Sequence, residues 1–243
     1  MRVLALETST RRGGAALIEN GRVLAEVVTD QQRSHSELLH QFVEECLSQA
    51  RTTLEQVDVF AVSRGPGSFT GIRVAGNAAK TYAYSFEKPL VALDSLTVLA
   101  AEVADESKPV LAVLNAFKNM VYYGIFQIRS GFPEPLHAPA AATVQEILPL
   151  LDRPMFVLGE GFDLYKNDFS SALDRLEFLS EASPYPRPST LGRLAETEAK
   201  NGRVLSWNGF IPLYLRASEA EEKQRGSLFK PVIAKDRTDG KSR

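Results

Sequence analysis

The strongest constraint on the fold is an order of predicted strands and helices that occurs twice along the chain. In the first half, apolar runs predict strands at residues 3–7, 15–18, 23–28, 57–62 and 90–93. Helical spacing of apolar residues predicts one helix from Ser34, a second over 69–86 and a third capped by Ser95. This part of the chain is therefore expected to fold in the order βββαβαβα.

A similar order starts again near residue 110. Strands are predicted at 110–114, 121–128, 136–141 and 155–158, with one helix after Thr143 and another from a cap at Ser189 toward Gly202. Duplicated lobes of this kind are the organisation of the actin-like ATPase superfamily, also called the ASKHA or ribonuclease H-like fold. The sequence therefore predicts a two-lobed α/β protein of that class.

The predicted lobes divide the chain at residue 105. Residues 1–105 form the first lobe, to which the segment 203–216 returns, and residues 106–202 form the second lobe. Residues 217–243 are polar and charged, so a disordered tail is predicted there. Two apolar pairs interrupt this tail, Leu228-Phe229 and Val232-Ile233, and they are candidates for weak docking.

The charge balance argues against direct binding of nucleic acid. The 243 residues carry 28 basic and 30 acidic side chains, so the chain lacks a strong positive field, and any contact with RNA is expected to be indirect. The single cysteine, Cys46, excludes an internal disulfide and is predicted to be buried on a helix. No apolar run approaches a membrane span, so we expect a cytoplasmic protein with no membrane contact.

The most distinctive motif is SRGPGSFTGIR at residues 63–73, between a predicted strand and a predicted helix. It is not a P-loop, because Ile72-Arg73 stands where Lys-Ser or Lys-Thr is needed, and its glycine spacing misses the dinucleotide motif by one residue. A rigid turn remains, with Ser68 as the expected helix cap. An anion can bind at such a helix start, but the sequence does not require one.

The helix after this turn presents a surface of small residues. They recur at helical spacing and favour close approach of another helix: Gly71, Ala75, Gly76, Ala78, Ala79 and Ala83. Spacing alone leaves open whether that neighbour is the chain's own core or a partner.

Catalytic and metal motifs are absent from the sequence. His35 and His40 lie about 140° apart around a helix axis and so cannot bind one ion from that helix. His137 has no ligand set near it in sequence, and no G-x-S-x-G elbow occurs. We therefore predict no catalytic residue and no bound metal.

The first hairpin is the weaker of the candidate sites. Hydroxyl residues and glycines follow the first strand, and their backbone amides can face a phosphate. The candidates for nucleotide binding are Glu7, Thr8 and Ser9, with Gly159 and Gly161 expected across the cleft. Active members of the superfamily usually have an aspartate where this chain has Glu7. The longer side chain moves a carboxylate by about 1.5 Å, which catalysis tolerates poorly.

Four stretches resemble a known family: VLALETST, SHSELLHQF, SRGPGSFTGIR and IPLYLRA. They are similar to the TsaB (YeaZ) family, accessory subunits in making threonylcarbamoyladenosine next to the anticodon of tRNA. The likeness is specific over about residues 1–100 and weak in the second lobe. TsaB is a relative of the TsaD family, to which an old glycoprotease label is attached.

The resemblance implies a noncatalytic subunit that pairs with its paralogue TsaD and activates it, in an assembly joined by the ATPase TsaE. No cofactor is expected to be tightly bound, although the resemblance allows ATP or ADP at the shared interface, and isolated chains can pair with themselves. In this family the first two helices build the pairing surface. The implied interface residues are His35, Leu38, Leu39, Phe42, Ser68, Phe69, Ile72, Arg73, Ala75, Gly76, Ala79 and Ala83.

The chain departs from the family at the start of the second lobe. The family commonly has Asp-Ala-Arg and a short acidic turn there, and this chain has NAFKNM at residues 115–120. This change and Glu7 favour a scaffold over a catalyst. The alternatives are a free-standing ATPase or sugar-kinase-like phosphotransferase and, disfavoured by the lack of a metal pair, a peptidase.

Overall fold

The structure is a computed structural model that describes residues 1–29 and 35–217, and the side chains of residues 35–37 are outside that description. The strands are Arg2–Glu7 (β1), Gly13–Glu19 (β2), Arg22–Thr29 (β3), Val59–Ser63 (β4), Leu90–Leu93 (β5), Val110–Asn115 (β6), Val121–Arg129 (β7), Phe132–Ala142 (β8), Met155–Leu158 (β9) and Leu176–Phe178 (β10). The α-helices are His35–Gln49 (α1), Phe69–Ser85 (α2), Ser95–Ala100 (α3), Val144–Ile147 (α4), Glu160–Leu164 (α5) and Pro188–Lys200 (α6).

The strands form two five-stranded sheets of the same topology. The first has the order β3-β2-β1-β4-β5 and the second β10-β9-β6-β7-β8. In each sheet the first three strands in sequence pair antiparallel, and the last two extend the sheet in parallel. The predicted two-lobed α/β fold is therefore confirmed.

Both faces of the first sheet are covered, as expected of strands that alternate their side chains between two apolar layers. Leu4 and Leu6 of β1 face α1 and α2 in one core. Val3 and Ala5 of the same strand face α6 in another. This double burial explains why β1 is apolar at every position between Arg2 and Glu7.

Helices α3 and α6 do not pack on the lobes to which the predicted boundaries assign them. Leu96 and Leu99 of α3 lie in the core of the second lobe, although α3 was assigned to the first. Leu191 and Leu194 of α6 lie against the first sheet, although α6 was assigned to the second. An apolar helix face shows that a sheet is covered but not which sheet, so the predicted boundaries at 105 and 202 do not follow the packing.

Two predicted helix caps are wrong by one or two residues. Asp94, not Ser95, caps α3, because its carboxylate oxygens accept hydrogen bonds from the Thr97 amide (2.8 Å) and the Thr97 hydroxyl (2.6 Å). Helix α6 begins at Pro188 after Arg187, and Ser189 already lies inside the helix. Proline suits a first helical position because the amide it lacks has no partner there.

Strand boundaries also differ from the predictions. Strand β4 begins at Val59 rather than at residue 57, because Val57 ends a short 3₁₀ turn. Strand β8 starts at Phe132, four residues earlier than predicted, and β10 was not predicted. Cys46 is fully buried on α1, as predicted, and burial raises the pKa of its thiol to about 12.

The segment after α6 runs along the first lobe before reaching the second. Leu205 exchanges backbone hydrogen bonds with Leu90 of β5, and the Leu213 amide donates to the Arg64 carbonyl at 2.7 Å. Leu215 then enters the core of the second lobe. The predicted tail, apart from its first residue at 217, lies outside the described residues. Among the described residues, none of the helices is long and apolar enough to span a membrane.

Candidate functional site

A cleft of about 770 Å³ lies between the two lobes. The loop after β1 and the glycine turn before α2 line one wall, and the turn after β6 and helix α5 line the other. This volume is within the range of roughly 300–1,000 Å³ that small-molecule sites occupy. The cleft is therefore the first candidate for a ligand site.

Glu7 stands at the end of β1 but does not line the cleft. Its side chain is fully buried, and one carboxylate oxygen accepts hydrogen bonds from the Ser9 amide and the Ser9 hydroxyl, both at 2.6 Å. The other oxygen accepts from the hydroxyl of Ser63 on β4. Burial raises the pKa of Glu7, although these hydrogen bonds oppose the rise. The carboxylate thus joins the ends of two strands inside the protein.

Thr8 and Ser9 hold the start of α2 through direct hydrogen bonds. The Thr8 hydroxyl donates to the Gly71 carbonyl at 2.7 Å, and the Ser9 carbonyl accepts from the Ser68 amide at 2.7 Å. A β-carbon at Gly71 would lie 1.8 Å from the Thr8 carbonyl oxygen, and one at Gly67 would lie 2.0 Å from that of Ser9. The glycines of the motif are therefore needed for close backbone contact. Ser68 caps α2 as predicted.

Gly159 and Gly161 have the same role in the second lobe. A β-carbon at Gly159 would lie 2.0 Å from the Val113 carbonyl oxygen, and one at Gly161 would lie 2.7 Å from the Leu114 carbonyl carbon. Gly159 also has φ +112°, a conformation that favours glycine. These glycines let α5 approach β6, and it is Glu160 between them that lines the cleft.

A contact that the sequence does not predict crosses the cleft. The Arg11 guanidinium lies 5.0 Å from the ring centre of Tyr185 and 3.9 Å from a carboxylate oxygen of Glu160. Burial raises the pKa of Glu160, and the charge of Arg11 opposes that rise. Arg11 belongs to the first lobe and Glu160 to the second, so no local pattern in the sequence connects them.

The NAFKNM turn after β6 closes through left-handed residues. Phe117, Lys118 and Asn119 have φ values of 59°, 54° and 58°, which is costly for non-glycine residues. The Asn115 side chain accepts from the Phe117 amide at 2.9 Å, and the Arg216 guanidinium donates to the Phe117 carbonyl at 3.0 Å. The turn is thereby fixed by its own chain, with Phe117 projecting at 69% exposure beside the cleft.

Most of the predicted interface residues are in the core rather than on a surface. Seven are buried, namely Leu39, Phe42, Ile72, Ala75, Gly76, Ala79 and Ala83. Gly76 faces the chain itself, since a β-carbon there would lie 2.4 Å from the Phe210 ring. These side chains cannot contact a partner directly, so that part of the predicted interface is corrected. The small face of α2 serves internal packing, one of the two possibilities that its spacing left open.

The remaining interface candidates lie at or near the surface. Ser68 and Arg73 are exposed, and Leu38 and Phe69 are partly buried. The side chain of His35 is outside the described part of the structure. The interface itself stays a prediction, now restricted to the outer face of the two helices.

Arg73 is the centre of an aromatic cluster on that outer face. Phe69 and Tyr214 stack with their ring centres 4.4 Å apart, and the Arg73 guanidinium lies 5.9 Å and 5.6 Å from those centres. The Arg73 Nε also donates to the Tyr214 hydroxyl at 2.9 Å. Farther along α2, Tyr84 packs edge-on against Trp207 at 5.1 Å. The segment 203–216, here called the returning segment, thus adds aromatic side chains to the surface of α2, which the sequence did not reveal.

Two histidines, His40 and His137, have side chains within the described part of the structure. His40 pairs with Glu44 at 3.0 Å, and both side chains are exposed. His137 lines a separate shallow pocket of about 270 Å³ on the second lobe. In the part of the chain that the structure describes, no group of three or more His, Cys, Asp or Glu residues is placed to bind a metal ion.

Two sheets of identical topology with a cleft between them define a two-lobed actin-like α/β protein. The activator of the 2-hydroxyisocaproyl-CoA dehydratase from Clostridium difficile, solved with bound ADPNP, shares this fold at 8% identity. Its TM-score is 0.50, over 84% of this chain and 97% of that one.

Sequence relatives define the family within that class. The chain matches the family "TsaD: tRNA N6-adenosine threonylcarbamoyltransferase" over residues 22–224. The "tRNA threonylcarbamoyladenosine biosynthesis protein TsaB" of Bacillus subtilis is 31% identical, covering 92% of this chain and 97% of the relative. The structure of YeaZ from Pseudomonas aeruginosa is 28% identical, with a TM-score of 0.76 over 88% of this chain and 99% of that one. The chain belongs to the TsaB (YeaZ) family of tRNA threonylcarbamoyladenosine biosynthesis proteins.

Proposed function

We propose that this chain is a noncatalytic accessory subunit that pairs with TsaD and activates it. TsaD then transfers the threonylcarbamoyl group to the adenosine next to the anticodon of tRNA. Membership of the TsaB family supports the pathway. The observation that carries the noncatalytic role is the environment of Glu7.

A catalytic carboxylate must present an oxygen atom to a substrate, a water molecule or a metal ion. Both oxygens of Glu7 instead accept hydrogen bonds from Ser9 and Ser63, and the side chain is fully buried outside the cleft lining. A group held in this way has a structural role. Active members of the superfamily usually have an aspartate at this position. Here the position is occupied by Glu7, whose buried carboxylate links the ends of two strands.

We place the contact with TsaD on the outer face of α2 and on the returning segment. Arginine and aromatic side chains are enriched among the residues that dominate binding energy. Here Phe69, Arg73 and Tyr214 form one such cluster, and Tyr84 and Trp207 form a second on the same helix. The buried small residues of α2 support this face from beneath.

The test is threonylcarbamoyl transfer to tRNA by purified TsaD, TsaE and the enzyme that makes threonylcarbamoyl-adenylate, with and without this chain. Modification should appear only when the chain is present. Modification that is equal without it would reject the proposal.

A charge reversal locates the contact. Arg73→Glu should weaken binding to TsaD by roughly tenfold or more, as expected of an interfacial arginine. The matched control is Arg129→Glu, because Arg129 is an exposed arginine on the second lobe and is the last residue of β7. Equal binding of TsaD by both variants would show that the Arg73 cluster is not part of the interface.

We further propose that TsaE joins this pair and that ATP or ADP binds at the shared interface rather than in the isolated chain. The Thr8 hydroxyl donates to the Gly71 carbonyl of α2, and the Ser9 amide and hydroxyl donate to Glu7. These donors are engaged within the chain, which supports a site outside that loop. Equilibrium dialysis with labelled ADP should show binding to the assembly and none to this chain alone. Binding to the isolated chain would reject the shared site.

A second candidate function is a free-standing ATPase or sugar-kinase-like phosphotransferase. The observation in its favour is the cleft of about 770 Å³, with Arg11 and Lys118 among its lining residues. This function requires magnesium-dependent ATP turnover by the purified chain that is lost in Arg11→Ala. Absence of turnover with and without sugar acceptors would dismiss it.

A further inference from the structure

The described part of the chain ends inside the cleft. Arg216 and Ala217 both line it, and residues 218–243 follow directly. Any segment in this stretch starts next to the cavity and needs no long path to reach it.

The cleft has apolar side chains at its edge that nothing described covers. Phe117 is 69% exposed and Leu164 is 59% exposed, and both line the cleft. Phe69 and Tyr122 continue the apolar lining. Exposed large apolar side chains around a concave site are typical of a surface that binds a ligand or a chain segment.

Residues 218–243 contain a matching apolar stretch. Leu228-Phe229 and Val232-Ile233 flank Lys230-Pro231 in an otherwise polar sequence. A proline between the two pairs lowers the conformational entropy lost on binding. The family match ends at residue 224, so this stretch lies beyond the part of the chain that matches the family.

Length and the first charges agree with this assignment. Three glutamates, at 219, 221 and 222, come first after the cleft and precede Lys223 and Arg225. Lys118 and Arg216 are among the residues that line the cleft. Residues 218–227 then separate Ala217 from the apolar pairs, and such a stretch spans at most about 36 Å. A short tether of this kind gives an effective concentration in the millimolar range, so even weak docking is populated.

We propose that residues 228–233 occupy the interlobe cleft of the same chain. Leu228-Phe229 and Val232-Ile233 pack against the Phe117 and Leu164 edge, and the acidic residues before them lie near Lys118 and Arg216. This proposal does not depend on pairing with TsaD.

Disulfide trapping in the full chain tests the proposal. Leu164→Cys places a thiol at the cleft, and Phe229→Cys places one in the apolar stretch. Cys46 does not interfere, because it is the only native cysteine, is fully buried and has a thiol pKa of about 12. Mild oxidation followed by mass spectrometry measures the rate of cross-linking within one chain.

The matched control pairs Phe229→Cys with Gln49→Cys. Gln49 is exposed at the end of α1. The chain continues from there to the amino end of β4, whereas the glycine turn follows the carboxyl end of that strand. Cross-linking in the Leu164→Cys pair should be at least roughly tenfold faster than in the Gln49→Cys pair. Replacing Leu228, Val232 and Ile233 by serine should remove the difference. Thermal melting checks that each variant is folded.

Equal rates at the two positions would overturn the proposal, because a docked segment holds residue 229 beside position 164 and away from position 49. Cross-links that form only between isotope-labelled and unlabelled chains would also overturn it and identify a second copy as the occupant. A difference that survives the serine substitutions would overturn the assignment to the apolar pairs.

Discussion

Replacing Gly71 by alanine is the sharpest test of how α2 is positioned. In an unobstructed helix this change stabilises a protein by about 1 kcal/mol, because alanine is the better helix former. Here the new β-carbon would lie 1.8 Å from the Thr8 carbonyl oxygen, whereas real β-carbons stay at 3.0 Å or beyond. The obstacle is backbone, so no side-chain rotation relieves it, and the start of α2 must move.

That movement has a calculable cost. Overpacking costs about 1–3 kcal/mol. The 2.7 Å hydrogen bond from the Thr8 hydroxyl to the Gly71 carbonyl is strained at the same time, which costs about 1 kcal/mol more. After the gain in helix propensity, we expect a net loss of about 2 kcal/mol. For a chain of this size this corresponds to about 4–8 °C in Tm.

Thermal and urea unfolding of the isolated chain measure the effect, and Asn77→Ala is the matched control. Asn77 is exposed on the same helix, so alanine there should be neutral or slightly stabilising. If Gly71→Ala is as stable as the wild type or more stable, the close contact with Thr8 does not hold, and the explanation given for the glycine motif fails.

Three further predictions concern buried or partly buried titratable groups. Burial raises the pKa of Glu7 above the ordinary 4.5, so its contribution to stability is present below that pH and is lost as pH rises through the folded pKa. The Tm of Glu7→Gln should therefore rise relative to that of the wild type with increasing pH. Parallel Tm profiles from pH 4 to 8 would contradict this. Burial alone would raise the pKa of Glu26, but hydrogen bonds from Arg187 and Ser189 bring it below 4.5. Glu26→Gln should therefore lower the free energy of unfolding by about 1 kcal/mol at neutral pH, and by less as pH falls through the folded pKa. A difference between variant and wild type in urea unfolding that stays constant down to pH 3 would refute the pairing of Glu26 with Arg187. Cys46 should not react with a thiol reagent at pH 8 until denaturant is added, and rapid labelling of the native protein would show that α1 opens.

The order of strands in the first lobe could be predicted from sequence because it depends on local patterns. The central strand β1 is apolar at each of its inner positions, and Asn20-Gly21 marks the following hairpin. Which sheet a helix covers depends on contacts between distant residues. Leu96 and Leu191 both belong to well-formed apolar helix faces, yet each packs on the lobe that sequence order did not suggest.

The small residues of α2 show the same limit within one element. Their spacing indicates correctly that something approaches the helix closely. At Gly71 that neighbour is the backbone of Thr8, and at Gly76 it is the ring of Phe210, more than a hundred residues away in sequence. Spacing reports the space that a neighbour needs but not its identity, so a resemblance to a pairing helix led to residues that are in fact internal.

Glu7 connects this packing to the proposed function. Its carboxylate joins Ser9, on the loop that supports the start of α2, to Ser63, at the end of the strand before the glycine turn. Both anchors of α2 therefore meet at one buried carboxylate. The outer face of the same helix carries Arg73, the centre of the proposed contact with TsaD. The Glu7 carboxylate thus helps to position the surface that we propose contacts TsaD, although its side chain does not line the cleft.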